Sequence, residues 1–201
     1  LSVSSMQSIW YGVQEKVFGT DEERKILLDY TKKAIDFAVS IKCNNLVFGC
    51  PRNRNIPEGV NEDVAISFFK ELGDYAYSVG TVIGMEANPT IYNTNYINTT
   101  KSALELIEKV DSEGFKLNLD VGTMIQNEET VEVLKNNVGK INHVHISEPG
   151  LKPIEERKLH KELYKLLKEE GYQGYISIEM GKVDDISIIE QKMSYLRSVF
   201  V

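Results

Sequence analysis

The stretch Thr81-Val-Ile-Gly-Met-Glu86 is a short apolar run that ends in a carboxylate, and two later runs repeat that design: Phe115-Lys-Leu-Asn-Leu-Asp120 and Tyr175-Ile-Ser-Ile-Glu179. A fourth, Ile141-Asn-His-Val-His-Ile146, carries His145 near its end. Runs of this length, rich in Val, Ile and Leu and bounded by Gly, Pro, Asn or charge, read as strands buried on both faces. Asn45–Cys50 and Leu1–Ser5 read the same way, which makes six strands in all.

Helical patterns fill the spaces between them. Thr20-Asp-Glu-Glu23 is a capping box, and Ile26, Leu27, Tyr30, Ala34, Phe37, Ala38 and Ile41 continue from it at three-to-four spacing. Further helices are expected from about Asn61 to Gly80, through Ala103–Val110 with a stop at Gly114, over roughly 128–137, through Leu159–Leu167 with a stop at Gly171, and from about Asp185 to Arg197. Strand–helix alternation implies parallel strands with right-handed crossovers. A doubly wound sheet usually carries a glycine-rich phosphate loop after its first strand, and neither GxGxxG nor GxxxxGK[ST] occurs. A (β/α) barrel instead gathers chemistry at the C-terminal ends of several strands. Glu86, Asp120, His145 and Glu179 have that placement, at intervals of 34, 25 and 34 residues, each about one strand–helix unit. One carboxylate at a strand end is an ordinary exit from the core, but four ligand-type residues in phase point to one site. Three carboxylates and an imidazole suit Mn²⁺, Mg²⁺ or Co²⁺, with Zn²⁺ a further candidate.

The chain has 201 residues, 42% of them hydrophobic, and a formal charge of −7. That composition fits one globular α/β domain over residues 1–201. The acidic balance argues against a nucleic-acid partner, and no apolar run reaches membrane-spanning length. Cys43 and Cys50 have no disulfide or zinc spacing, so a reducing cytoplasm is the expected compartment. Of the three histidines, His143 shares a strand face with His145 and reads as a hydrogen-bonded neighbour below the site, while His160 reads as a helix-surface residue. Candidate substrate contacts are Gln7, Trp10, Arg52, Asn88, His143, Glu148 and Lys182, each on or just beyond a strand. Trp10 has packing as its equal alternative. Arg52 and Arg54, in Cys50-Pro-Arg-Asn-Arg54, are candidates for a phosphate or carboxylate, with a solvated loop as the plainer reading.

The runs VIGMEANP, LNLDVGT, HVHISEP and GYQGYISIEM, in this order and spacing, resemble the sugar phosphate isomerase/epimerase family of xylose isomerase-like barrels. The resemblance implies a (β/α)8 TIM-type barrel, with about six βα units visible, the run at Leu1–Ser5 as the third strand, and the first two units missing through N-terminal truncation. An isolated six-unit arc would leave two open edges, which proteins avoid. It also implies that Glu86, Asp120, His145 and Glu179 hold a divalent metal and that Glu86 and Glu179 flank the substrate as acid and base. The implied activity is isomerisation or epimerisation of a small sugar or sugar phosphate, by proton transfer through an enediolate. Two positions depart from the family pattern: Thr123 stands where epimerases carry His, and Leu151 where they often carry Arg. Both argue against tagatose-type specificity, and Thr123 with so few histidines argues against an endonuclease IV-like DNA repair enzyme. A keto-polyol dehydratase on the same site and a non-catalytic sugar-binding barrel are the other readings. A homo-oligomer is compatible with the sequence.

Overall fold

The computed structural model describes residues 2–201; Leu1 lies outside the described residues. Five strands, β1 (Leu46–Phe48), β2 (Ile83–Met85), β3 (Phe115–Asp120), β4 (Ile141–Ile146) and β5 (Tyr175–Ile178), form one parallel sheet in the order of the chain. Sequential order without reversal is the wall of a (β/α) barrel, whereas a doubly wound sheet changes direction at a switch point. The wall is curved. Asn142, at the start of β4, reaches back to the residues just before β1, donating to Asn44 O at 3.0 Å and Asn45 Oδ1 at 2.8 Å.

Six helices follow the expected alternation: α1 (Asp21–Ser40), α2 (Asp63–Val79), α3 (Thr100–Val110), α4 (Val121–Gln126), α5 (Lys158–Glu169) and α6 (Ile186–Phe200). The capping box forms at Thr20, with Glu23 N–H donating to Thr20 Oγ1 and Thr20 N–H to Glu23 Oε2. α2 ends at Gly80 with φ +88, a conformation that glycine adopts at little cost. An aromatic cluster ties helices to sheet. Trp10 meets Phe48 edge-on at 4.5 Å, Phe48 meets Phe69 at 4.9 Å, and Phe69 stacks on Phe115 at 5.1 Å. Each buried ring contributes on the order of 2 kcal/mol through apolar burial alone. No helix among the described residues is long and apolar enough to cross a membrane.

Four expectations change. The run Leu1–Ser5 forms no strand over its described residues. Pairing is confined to Met6, which bridges β1 through Met6 N–H to Asn45 O (2.8 Å) and Val47 N–H to Met6 O (2.7 Å). The helix expected over 128–137 is only a 3-10 turn, Val131–Leu134, because α4 begins directly after β3. α3 stops at Asp111, not at Gly114. Gly114 serves a different need: its backbone passes so close to α2 that a Cβ there would overlap the carbonyl of Gly73. His160 is buried rather than on the surface, with Nδ1 3.0 Å from the Tyr195 hydroxyl. It sits under α6, which periodicity within α5 alone does not reveal.

Gly114→Ala is therefore expected to lower the unfolding free energy by about 1–3 kcal/mol, the usual cost of overpacking, measured by urea denaturation.

Candidate metal site

Parallel pairing sets the level of each side chain at the C-terminal mouth of the barrel. Asp120 pairs with His145, and His145 with Ser177, while Glu86 and Glu179 each stand one residue beyond the end of a strand. Alternation along β3 and β4 sends Asn118 and Asp120 to one face, and His143 and His145 likewise.

Glu86, His145 and Glu179 converge, each offering one ligand atom within 4.8 Å of the others. His145 Nδ1 lies 3.2 Å from Glu86 Oε2 and 3.3 Å from Glu179 Oε2. Burial by itself would lower the imidazole pKa, but hydrogen bonds to Glu179 and Glu86, with their charges, outweigh it and push the group up to about 10. In the absence of a metal, His145 is thus the cation between the two carboxylates. Glu86 is further fixed by Asn118 Nδ2, which donates to Oε2 at 2.8 Å, and by Asn88 Nδ2, which donates to Oε1 at 3.1 Å.

Asp120 lines the same cavity but stands outside this trio. One of its oxygens accepts the Ser147 hydroxyl. The other caps α4, accepting Thr123 N–H at 2.8 Å, with Thr123 Oγ1 at 2.7 Å. Burial, reinforced by the charges of Glu86 and Glu179, raises its pKa to about 7 against the lowering effect of these hydrogen bonds. Thr123 also lies 2.8 Å from Ala87 O, so the position where epimerases carry histidine is a hydroxyl joining β2's loop to α4.

The candidate substrate residues separate into groups. Gln7, Asn88 and Glu148 line the cavity of about 190 Å³ that holds the trio. Glu148 is held in a two-pronged ion pair by Arg157, with Nε to Oε1 at 2.7 Å and Nη2 to Oε2 at 2.6 Å. His143 lies below the cavity against Ser177 Oγ (2.9 Å); burial, then the charge of His145, lowers its pKa to about 4 and keeps it neutral. Trp10 is in the core, its Nε1–H donating to Thr31 Oγ1 at 2.8 Å, and it faces a neighbouring cavity rather than this one. Arg52 is exposed and also lines that neighbouring cavity. Lys182 is exposed and does not line the trio's cavity.

Arg54 is neither in solvent nor free to bind a ligand. It is fully buried and donates to Glu86 O (2.8 Å), Asn88 Oδ1 (3.0 Å) and Ile97 O (3.2 Å). Sequence reading misses its role as well as those of Asn118, Ser147 and Tyr92. Asn118 had a visible signal, a polar residue between leucines two positions before Asp120. Tyr92 lines the cavity and accepts Gly150 N–H at 3.0 Å, a contact between distant loops that leaves no local trace.

A carboxylate–imidazole cluster thus stands at the C-terminal mouth of a parallel (β/α) wall, where barrels of this kind gather their chemistry. Residues 17–199 match the xylose isomerase-like TIM barrel, and the chain belongs to that family. Among characterised folds it is similar to D-psicose 3-epimerase of Clostridium cellulolyticum H10, with a TM-score of 0.79 at 15% identity, over 100% of this chain and 78% of that one. It is also similar to an AP endonuclease of family 2 from Brucella melitensis, with a TM-score of 0.76 at 19% identity, over 97% and 79% of the two chains. Among curated proteins, MJ1311 of Methanocaldococcus jannaschii, an uncharacterized protein, is 32% identical over 132 residues, 61% of this chain. The chain spans about 45% of the length of that relative.

Removing the Arg54 guanidinium takes a donor from three buried acceptors, of which Ile97 O keeps Asn88 N–H at 3.1 Å. Arg54→Met is expected to cost about 3 kcal/mol of unfolding free energy by urea denaturation, while Arg52→Met, on the surface, costs less than about 0.5 kcal/mol.

Proposed function

We propose that this chain is a divalent-metal-dependent isomerase or epimerase acting on a small sugar or sugar phosphate. The observation that carries the reading is the trio Glu86, His145 and Glu179, donor groups from the ends of three different strands within 4.8 Å of one another. Two carboxylates at such spacing, Glu86 buried and Glu179 partly so, call for positive charge between them, which protonated His145 or a bound metal ion supplies, and these residue types fit Mn²⁺, Mg²⁺ or Co²⁺, with Zn²⁺ also accommodated. Glu86, His145 and Glu179 would hold the ion, with Asp120 a further carboxylate lining the same cavity. A bound ion of this kind stabilises negative charge developing on a substrate carbonyl oxygen and its neighbouring hydroxyl.

The chain's own residues supply the rest. Asn118 and Asn88 fix both oxygens of Glu86, which keeps that carboxylate aimed at the cavity. Glu179 is less enclosed, its side chain 19% exposed, and in this reading removes the proton on the carbon beside the carbonyl. Glu86, reaching the cavity from β2 with β3 and β4 between it and β5, guides the proton's return. Delivery to the adjacent carbon gives an aldose–ketose isomer; delivery to the same carbon from the opposite face gives an epimer. His143 is neutral and bonded to Ser177, so it supports His145 without competing for charge. The named activity of D-psicose 3-epimerase, a protein of like fold, is in keeping with this chemistry. DNA repair by a histidine-rich multi-metal site finds less support: Thr123 is committed to α4, and His160 lies beneath α6.

Glu179→Gln is expected to abolish turnover across a ketose panel and to weaken Mn²⁺ binding at least about tenfold by equilibrium dialysis. Near-normal activity in that variant would reject its role, and products lighter by one water would mark the protein as a dehydratase instead.

A further inference from the structure

A second cavity, of about 540 Å³, opens beside the metal site and shares Ser8, Cys50 and Pro51 with it. The two differ in charge. Glu86, Asp120, Glu148 and Glu179 line the first. The second has no carboxylate in its wall but has Lys16 and Arg52, with Ser8 and Gln14 as further polar groups and Tyr11 at its rim, 90% exposed. Two cations thus stand without an acid in the wall, next to a cavity lined by four carboxylates. The acid next in sequence, Glu15, accepts Gln14 N–H at 3.1 Å. Arg52 is exposed and makes no ion pair among the described residues.

The wall is built rather than incidental. Asn53 is buried and donates to Val13 O (3.0 Å) and Glu15 O (2.8 Å), Val17 N–H donates to Asn53 O (2.9 Å), and Lys16 Nζ donates to Arg52 O (2.6 Å). These bonds staple segment 12–17 to the loop after β1. Cys50, with φ +43, turns the chain sharply at the junction of the two cavities. After that turn Arg52 faces the second cavity while Arg54 enters the core.

We propose that the second cavity is a subsite for a terminal phosphate, so that the substrate is a phosphorylated sugar whose carbonyl end occupies the first cavity. This rests on the functional reading above and narrows it to one substrate class. An arginine fork with a lysine beside it matches the two negative charges and three acceptor oxygens of a phosphate monoester, whereas a single carboxylate would need only one of them. The acidic cavity would repel that phosphate, which fixes the direction in which the substrate lies.

The test is equilibrium binding of inorganic phosphate to the whole chain by calorimetry, independent of turnover. Arg52→Gln is expected to weaken phosphate about tenfold, the loss of one charge-assisted pair, and Lys16→Gln to weaken it less. Lys101→Gln, on a distant exposed helix face, serves as the control and leaves binding unchanged. Phosphate should compete with D-fructose 6-phosphate, which in turn should bind more tightly than D-fructose in wild type but not in Arg52→Gln. Phosphate binding insensitive to Arg52, or binding that does not compete with the ketose phosphate, overturns the proposal. If no ketose is turned over while Arg52-dependent competition persists, the reaction assignment fails and the subsite stands. If ketoses react while phosphate ignores Arg52, the subsite fails alone.

Discussion

The rest of the structure is organised around acidic groups removed from water at the mouth of the barrel. Taking a carboxylate out of water costs several kcal/mol unless charge or hydrogen bonds replace the lost hydration. Four carboxylates line one small cavity here, and they are answered in three ways. Glu148 has Arg157, a full ion pair with matched geometry. Glu86 and Glu179 share His145. Asp120 has only hydroxyls and a helix N-terminus, and its pKa rises to about 7 in consequence, burial being the main cause. The least neutralised charge thus sits beside the trio whose spacing suits a cation.

Beneath this layer the protein invests in orientation. A fully buried guanidinium, Arg54, spends its hydrogen bonds on the backbone of Glu86 and on the Asn88 side chain that in turn holds Glu86. Burial lowers the Arg54 pKa to about 10, still far above neutrality, so the group remains a cation within reach of the acidic mouth. Asn118 plays a similar part from β3, bonded to Glu86 on one side and accepting from Asn45 at 3.2 Å on the other. Two networks, one ionic and one of amides, thus converge on a single carboxylate.

How much of this is legible without coordinates depends on whether the signal is local. The strand ends at Glu86, Asp120, His145 and Glu179 are legible because each closes an apolar run, and the run lengths place them at one end of the wall. The Thr20 and Gly80 helix boundaries are legible because capping chemistry involves residues within one turn. Arg54 and His160 are not, since charge and periodicity mark them as surface residues and only partners some thirty positions away bury them. α4 escapes notice because its N-cap is Asp120, a residue whose strand-end position suggests a different use. Residues 2–5 form no ladder and pairing is confined to a bridge at Met6, since apolar composition marks strand tendency but not the extent of the ladder.

That double use of Asp120 has a practical side. Its carboxylate both faces the cavity and closes the first turn of a six-residue helix, alongside Ser147 Oγ, which accepts Gly122 N–H at 2.8 Å. Whatever draws the oxygen toward the cavity must loosen the helix start, and whatever tightens the helix must withdraw charge from the cavity. An alanine at this position would blur a chemical defect with a local unfolding one, so asparagine, which keeps the cap and drops the charge, is the informative replacement.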